Sequence, residues 1–245
     1  MRIVYLAEKL SYLSLLLLLS SAAGVRAELL HFRLGLVIFA LSALTSLLAI
    51  GLSALFTRRT SEVAERKRLS RAAVIALPAI SFFAFALFAG SDSPMIHDIS
   101  TDTENPPQFS HAQTLRTSTD NPLIYNAEVA AIQRRAYPDI RGLHLPLPLT
   151  RAQQLAEASA KQLGWDIHYQ QPGHIEATER SFWFGFTDDI VIRLRSEGSG
   201  SRIDLRSTSR LGQGDMGANA KRIRRFLLRL SNTAQAECEN QYCGL

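Results

Sequence analysis

The chain has 245 residues, 47% of them hydrophobic, and a formal charge of +5 that comes mainly from arginine. That length allows more than one structural unit. No low-complexity tail, zinc-like Cys/His spacing or internal repeat is present, which sets aside disordered tails, zinc modules and solenoids.

Three long apolar runs lie before residue 90. The first, residues 10–25, contains LSLLLLLSS, with Arg2 and Lys9 before it and Val25-Arg26-Ala27 after it. It reads either as a membrane span or as a signal peptide cut after Ala27. The second, residues 32–56, would be roughly 37 Å long as a helix, enough to cross a ~30 Å hydrocarbon core with some tilt. The third, residues 72–89, contains Pro78, which a span tolerates where neighbouring groups re-satisfy the freed carbonyl. Between the second and third runs, TRRTSEVAERKRLSR carries six basic residues: Arg58, Arg59, Arg66, Lys67, Arg68 and Arg71. The connection between the first two has only Arg26 and Arg33. By the positive-inside rule the more basic loop is cytoplasmic, so the chain after Gly90 is expected outside, in the periplasm of a Gram-negative cell. The expected organisation is a membrane region over residues 1–90, an extracytoplasmic domain over 91–232 and a tail over 233–245.

After the third run comes MIHDISTDTENPPQF, residues 95–109. Its apolar residues are too sparse for a helix or a long strand, and Pro106-Pro107 holds the chain extended. Residues 127–136 predict a short helix ended by Pro138, and GLHLPLPL is extended. Thr150 is placed to cap a helix over 151–163, which Gly164 stops. Four strands are expected at 165–169, 175–181, 188–195 and 202–209 from their alternation. In the last two, Ile190, Ile192, Leu194, Ile203 and Leu205 face inward, whereas Arg193, Arg195, Arg202, Asp204 and Arg206 face outward. A final helix over 218–230 has the stripe Ile223, Phe226, Leu227 and Leu230 and the basic face Arg222, Arg225 and Arg229. The pattern implies an α+β class, with three N-terminal transmembrane helices, then an antiparallel sheet of about four strands and helices packed on one face.

The stretches IHDISTDTENPP, HIEATERSFWFGFTDDIVIRLR, GSRIDLRSTSR and MGANAKRIRRFLLRL follow in this order. Together they resemble the family called domain of unknown function 1499, over about residues 95–230. The resemblance implies a bacterial domain often attached to membrane spans. It carries over no reaction and no catalytic residues.

Two chemistries compete with a plain fold. His97, Asp98, Asp102 and Glu104 are metal-ligand types, and Asp188-Asp189 starts a strand. No HExxH, EF-hand, GxSxG, phosphate-loop or dinucleotide pattern accompanies them. Adjacent strand residues point to opposite faces, so Asp188 and Asp189 cannot easily chelate one ion. Short Asp, Thr and Asn side chains beside prolines are also turn material, and the segment is expected to be an ordered strap, with Asp98→Ala and Asp102→Ala each costing about 1 kcal/mol. SFWFGF read as strand places Phe182, Phe184 and Phe186 on one face and Trp183 on the other, as core or as an apolar groove for lipid or peptide. GQGDMG reads as a turn into the last helix, with Asp215 near its positive end.

The leading expectation is an inner-membrane protein whose extracytoplasmic domain binds a ligand or partner, through Trp183, Arg193, Arg195 or Arg206. The alternative is a metal-dependent or acid/base hydrolase of envelope material acting through His97, Asp98, Asp102 and Asp188. No cofactor and no resident metal is expected. The expected partners are the lipid bilayer and an anionic lipid, an envelope polymer or another membrane protein; the compartment argues against nucleic acid. Cys238 and Cys243 are expected to form a disulfide in an oxidising compartment.

Overall fold

The computed structural model describes the backbone of residues 2–241 and the side chains up to Glu237. The disulfide expected between Cys238 and Cys243 lies outside the described residues. Two compact units form: one holds residues up to Ser91 together with Ser181–Gly185, and the other holds Asp92–Arg180 and the chain from Phe186 onward.

The first unit is built on α1 (Arg2–Arg26), α2 (Phe32–Thr57) and α3 (Val63–Phe88). All three are long and apolar enough to cross a membrane, the mark of a membrane protein. α1 and α3 start earlier than their apolar runs, because the flanking charged residues are good helix formers. Their buried faces are rich in small residues: Ser11, Ser14 and Ser21 on α1, Ser42, Ala43, Ser46 and Ala49 on α2, Ala72, Ala76 and Ala79 on α3. Such side chains let helix backbones approach closely and bond across helices. Ser21 Oγ donates to the Gly35 carbonyl at 2.7 Å and Ser46 Oγ to the Ala76 carbonyl at 2.6 Å. Glu8 of α1 is buried and accepts from Arg68 (2.6 and 3.0 Å) and Arg71 (2.9 Å) of α3. The outward residues, among them Leu16, Val37, Leu44, Phe85 and Phe88, are exposed and apolar, a surface suited to lipid.

Ser181–Gly185 corrects the strand reading of SFWFGF. It is a turn, with the Gly185 N–H donating to the Ser181 carbonyl at 3.1 Å and Gly185 at φ +68°. That left-handed conformation favours glycine and breaks the period-2 alternation. Phe182 and Trp183 are therefore exposed.

The second unit holds a 6-stranded antiparallel sheet of order β1-β6-β5-β4-β3, with β2 also pairing β6. The strands are β1 (Asp98–Ser100), β2 (Leu143–Leu145), β3 (Asp166–Gln171), β4 (His174–Arg180), β5 (Thr187–Glu197) and β6 (Gly200–Ser209). The four strands expected from alternation are β3 to β6. The structure adds two short ones that lie end to end along β6, and β1 falls inside the strap. Helices α4 (Ala112–Leu115), α5 (Ala127–Ala136), α6 (Leu149–Gln162) and α7 (Ala218–Gln241) complete the unit. α6 begins two residues before the expected start, so Thr150 lies inside it rather than capping it. α7 outruns Leu230 because Ala234 extends its buried stripe and no Gly or Pro interrupts it. Asp215 accepts from the N–H groups of Gly217 and Asn219, both at 2.8 Å, and so satisfies donors at the start of α7.

One sheet face carries Ile99, Ile175, Ala177, Ile190, Ile192, Leu194, Ile203 and Leu205, all in the main core. Leu155, Ala156, Ile223, Phe226 and Leu230 of α6 and α7 pack on it, and Trp165 stacks on Phe226 at 5.0 Å. Burying this many aliphatic groups at ~25 cal/mol per Å² holds the layers together.

Candidate functional site

The opposite sheet face is charged, yet it is not left to solvent. Alternation puts Glu176, Asp189, Val191, Arg193, Asp204, Arg206 and Thr208 there, and residues 101–125 cross over them. Arg206 is fully buried. It grips Asp98 with two bonds (2.7 and 3.0 Å), donates to the carbonyls of Pro107 and Leu123, and lies between the rings of Phe109 and Tyr125. Asp189 is held by Arg116 (2.7 Å) and Arg210 (2.8 Å). Asp204 receives Arg193 and Arg195, each at 2.9 Å, and Arg202 at 3.2 Å. Buried charges persist in this way only when paired and hydrogen-bonded.

Glu176 is fully buried and accepts from the backbone N–H groups of Ser110, His111 and Ala112, from Ser110 Oγ (2.6 Å) and from His174 Nε2 (2.7 Å). Burial pushes its carboxyl pKa up, but these donors outweigh burial and hold it well below the ordinary range. Ser110, His174 and Glu176 are the residue types of a nucleophilic triad. Serine and carboxylate both meet the same ring nitrogen, however, so the imidazole cannot relay a proton from one to the other. Beside them His111 stacks on Tyr169 at 5.4 Å and lies 5.3 Å from His168. Both ring nitrogens of His168 are buried without a partner among the described residues. Burial, joined by the nearby His111, lowers its pKa and favours the neutral ring.

The residues singled out in the sequence are spread over both faces. Asp98 and Asp102 lie on the strap: Asp102 accepts from the N–H groups of Glu104 and Asn105 and from Arg193 at 2.9 Å. Burial opposes its ionisation, yet the Asn105 N–H and Arg193 together hold its pKa low. Asp188 lies on the helix-packed face, where Arg222 of α7 reaches it at 2.5 Å. The two neighbouring aspartates thus serve opposite faces. Nδ1 of His97 meets the Gln213 carbonyl at 3.3 Å. His97, Asp98, Asp102 and Asp188 do not converge on one point, and no group of three or more His, Cys, Asp or Glu is placed to hold a metal ion among the described residues. Arg222, expected on a solvated basic face, is buried between Asp188 and Glu179.

One open feature of this unit lies where the strap meets α5, and sequence reasoning missed it. A cleft of about 280 Å³ is lined by Thr101, Thr103, Gln133, Arg134, Tyr137, Pro138, Ile140 and Arg141. Asn126 caps α5 by accepting from the Val129 N–H at 2.8 Å, and Pro138 follows its end, which brings Arg134 and Tyr137 to the rim. Gln133 braces the floor: its side chain bonds both backbone groups of Ser100 and the Tyr125 hydroxyl. Arg134 donates to Thr103 Oγ1 at 3.2 Å and Arg141 to the Pro138 carbonyl at 3.2 Å. Neither forms an ion pair among the described residues, in a domain where most arginines do. The detectable signal is that no acid stands three or four residues from Arg134 or Arg141.

Residues 98–230 match the family profile described as Protein of unknown function (DUF1499). A search of curated proteins finds no match.

Proposed function

The chain belongs to the DUF1499 family, and from that premise we propose that it is an inner-membrane protein whose α+β domain lies outside the cytoplasm and binds an anionic component of the cell envelope. The orientation rests on the six basic residues between the second and third apolar runs, against Arg26 and Arg33 around the junction of the first and second. The binding reading rests on the cleft at Arg134 and Arg141. Two guanidinium groups without a carboxylate, flanked by hydroxyls of Thr101 and Thr103, suit a phosphate or carboxylate ligand, which arginine recognises with paired donors. Elsewhere on this unit most of the charges singled out in the sequence are paired within the fold, and Arg206 in particular has no face left for a partner.

Titration of the full-length protein in non-ionic detergent with inorganic phosphate, and separately with a short-chain phosphatidylglycerol, should show saturable binding of at least one. Arg134→Gln with Arg141→Gln should weaken it at least tenfold, or about 1.4 kcal/mol, whereas Arg135→Gln should not. Binding of neither probe, or equal binding by the double variant, overturns the cleft. A reporter that works only outside the cytoplasm should be active when fused after Leu245; activity of a cytoplasmic reporter there overturns the orientation.

A further inference from the structure

The turn Ser181–Gly185 belongs to the three-helix unit, although it joins β4 to β5. Trp183 packs on Phe82 of α3 at 4.7 Å, and Phe184 meets Phe39 of α2 edge-on at 5.7 Å. Phe39 itself lies 5.3 Å from both Phe82 and Phe83, so the turn extends an aromatic cluster of the apolar helices. Arg26, at the end of α1, donates to the carbonyls of Ser181 (2.9 Å) and Phe182 (2.5 Å) and lies 5.9 Å from the Phe182 ring centre. The turn is thus fastened on two sides, by rings and by a cation. Its outer side is bare: Phe182 is 77% exposed and Trp183 50%.

From this we infer that Ser181–Gly185 is a bilayer anchor, with Phe182 and Trp183 seated among lipid at the boundary between headgroups and acyl chains. The occupant follows from continuity. The rings carry on the surface of three helices that are apolar enough to be surrounded by lipid, at a level marked by the charged end of α1. Trp and Phe beside an arginine are residues that suit this boundary, where a ring meets chains and a polar atom meets water. Water would leave two adjacent large rings uncovered, and a buried protein contact would have to satisfy the indole N–H. The interface meets both needs.

The chain's two tryptophans make the test direct. Trp165 is 4% exposed in the aliphatic core of the second unit, so the Trp183→Phe variant isolates its emission and the difference from wild type isolates Trp183. Both full-length proteins are reconstituted in phosphatidylcholine vesicles with or without bromine on the acyl chains near the headgroups. Wild type should lose most of the Trp183 emission to bromine, while Trp183→Phe loses little. Equal fractional losses in the two proteins, or no loss in wild type, overturn the anchor.

Discussion

Replacing Asp98 with alanine separates a turn-stabilising carboxylate from a structural counter-ion. A lone local hydrogen bond is worth about 1 kcal/mol, the figure that the strap sequence by itself supports. In the structure the same carboxylate is the counter-charge of Arg206, which is 0% exposed and bonded to it at 2.7 and 3.0 Å. Breaking a buried pair from one side costs about 3–5 kcal/mol, because the other charge stays buried without compensation. Arg206 would keep the carbonyls of Pro107 and Leu123 and the two flanking rings, so the lower end applies, about 3 kcal/mol. At roughly 2–4 °C per kcal/mol for a domain of this size, the melting temperature should fall by about 10 °C. The full-length protein in detergent, followed by Trp165 fluorescence in a Trp183→Phe background, reports this unit. Asp98→Ala with Arg206→Met should recover part of the loss, since no charge is stranded, although two carbonyls lose a donor. A fall of only about 1 kcal/mol, or a double variant no better than Asp98→Ala, refutes the buried-pair reasoning.

Other perturbations test other layers. Phe226→Asp should unfold the domain, because it buries a carboxylate against Trp165; Arg225→Ala loses only a half-exposed pair with Glu179, worth about 0–1 kcal/mol, and coincident melts would refute the helix phase. Glu176→Gln should flatten the acid limb of the stability curve. The folded carboxyl is held below its ordinary value of 4.5, so the stability it contributes is complete above that pH and lost as pH falls below it. Equal slopes for wild type and variant below pH 4.5 would show that the donors around Glu176 do not act on its charge. Cleavage after Ala27 would strip Arg68 and Arg71 of Glu8, so mature protein from membranes should retain α1; an intact mass beginning at Glu28 would contradict this.

The strands from β3 to β6 were legible because alternation needs only local spacing, and the hairpin register that sets Arg193 opposite Asp204 follows from it. Alternation assigns a side to each residue but not what covers that side. Arg206 and Arg193 read as outward and solvated because residues 101–125 carry no periodic signal. The cover binds through pairs such as Asp102 with Arg193, 91 residues apart, and Ser110 with Glu176, 66 apart. Arg222 read as surface for a related reason. A three-residue spacing with Arg225 fixes a helix face, while the acids that claim Arg222 sit on β4 and β5. The aromatic turn was misread because Phe and Trp in alternation favour a strand, and one glycine at positive φ undoes it.

The charged sheet face also bears on how the chain is made. Residues 95–125 are made before the sheet that they cover, but their anchors Asp189 and Arg206 arrive late, and β1 pairs with β6, the last strand. Synthesis proceeds from the N-terminus, and contacts of such long separation close last. For that interval the strap has nothing to cover and the growing sheet has one face without its lid. Had that face been aliphatic, it would have been a sticky surface. Arginine and aspartate in its place keep the unfinished sheet wettable, and each waits with its charge solvated until the opposite charge reaches it.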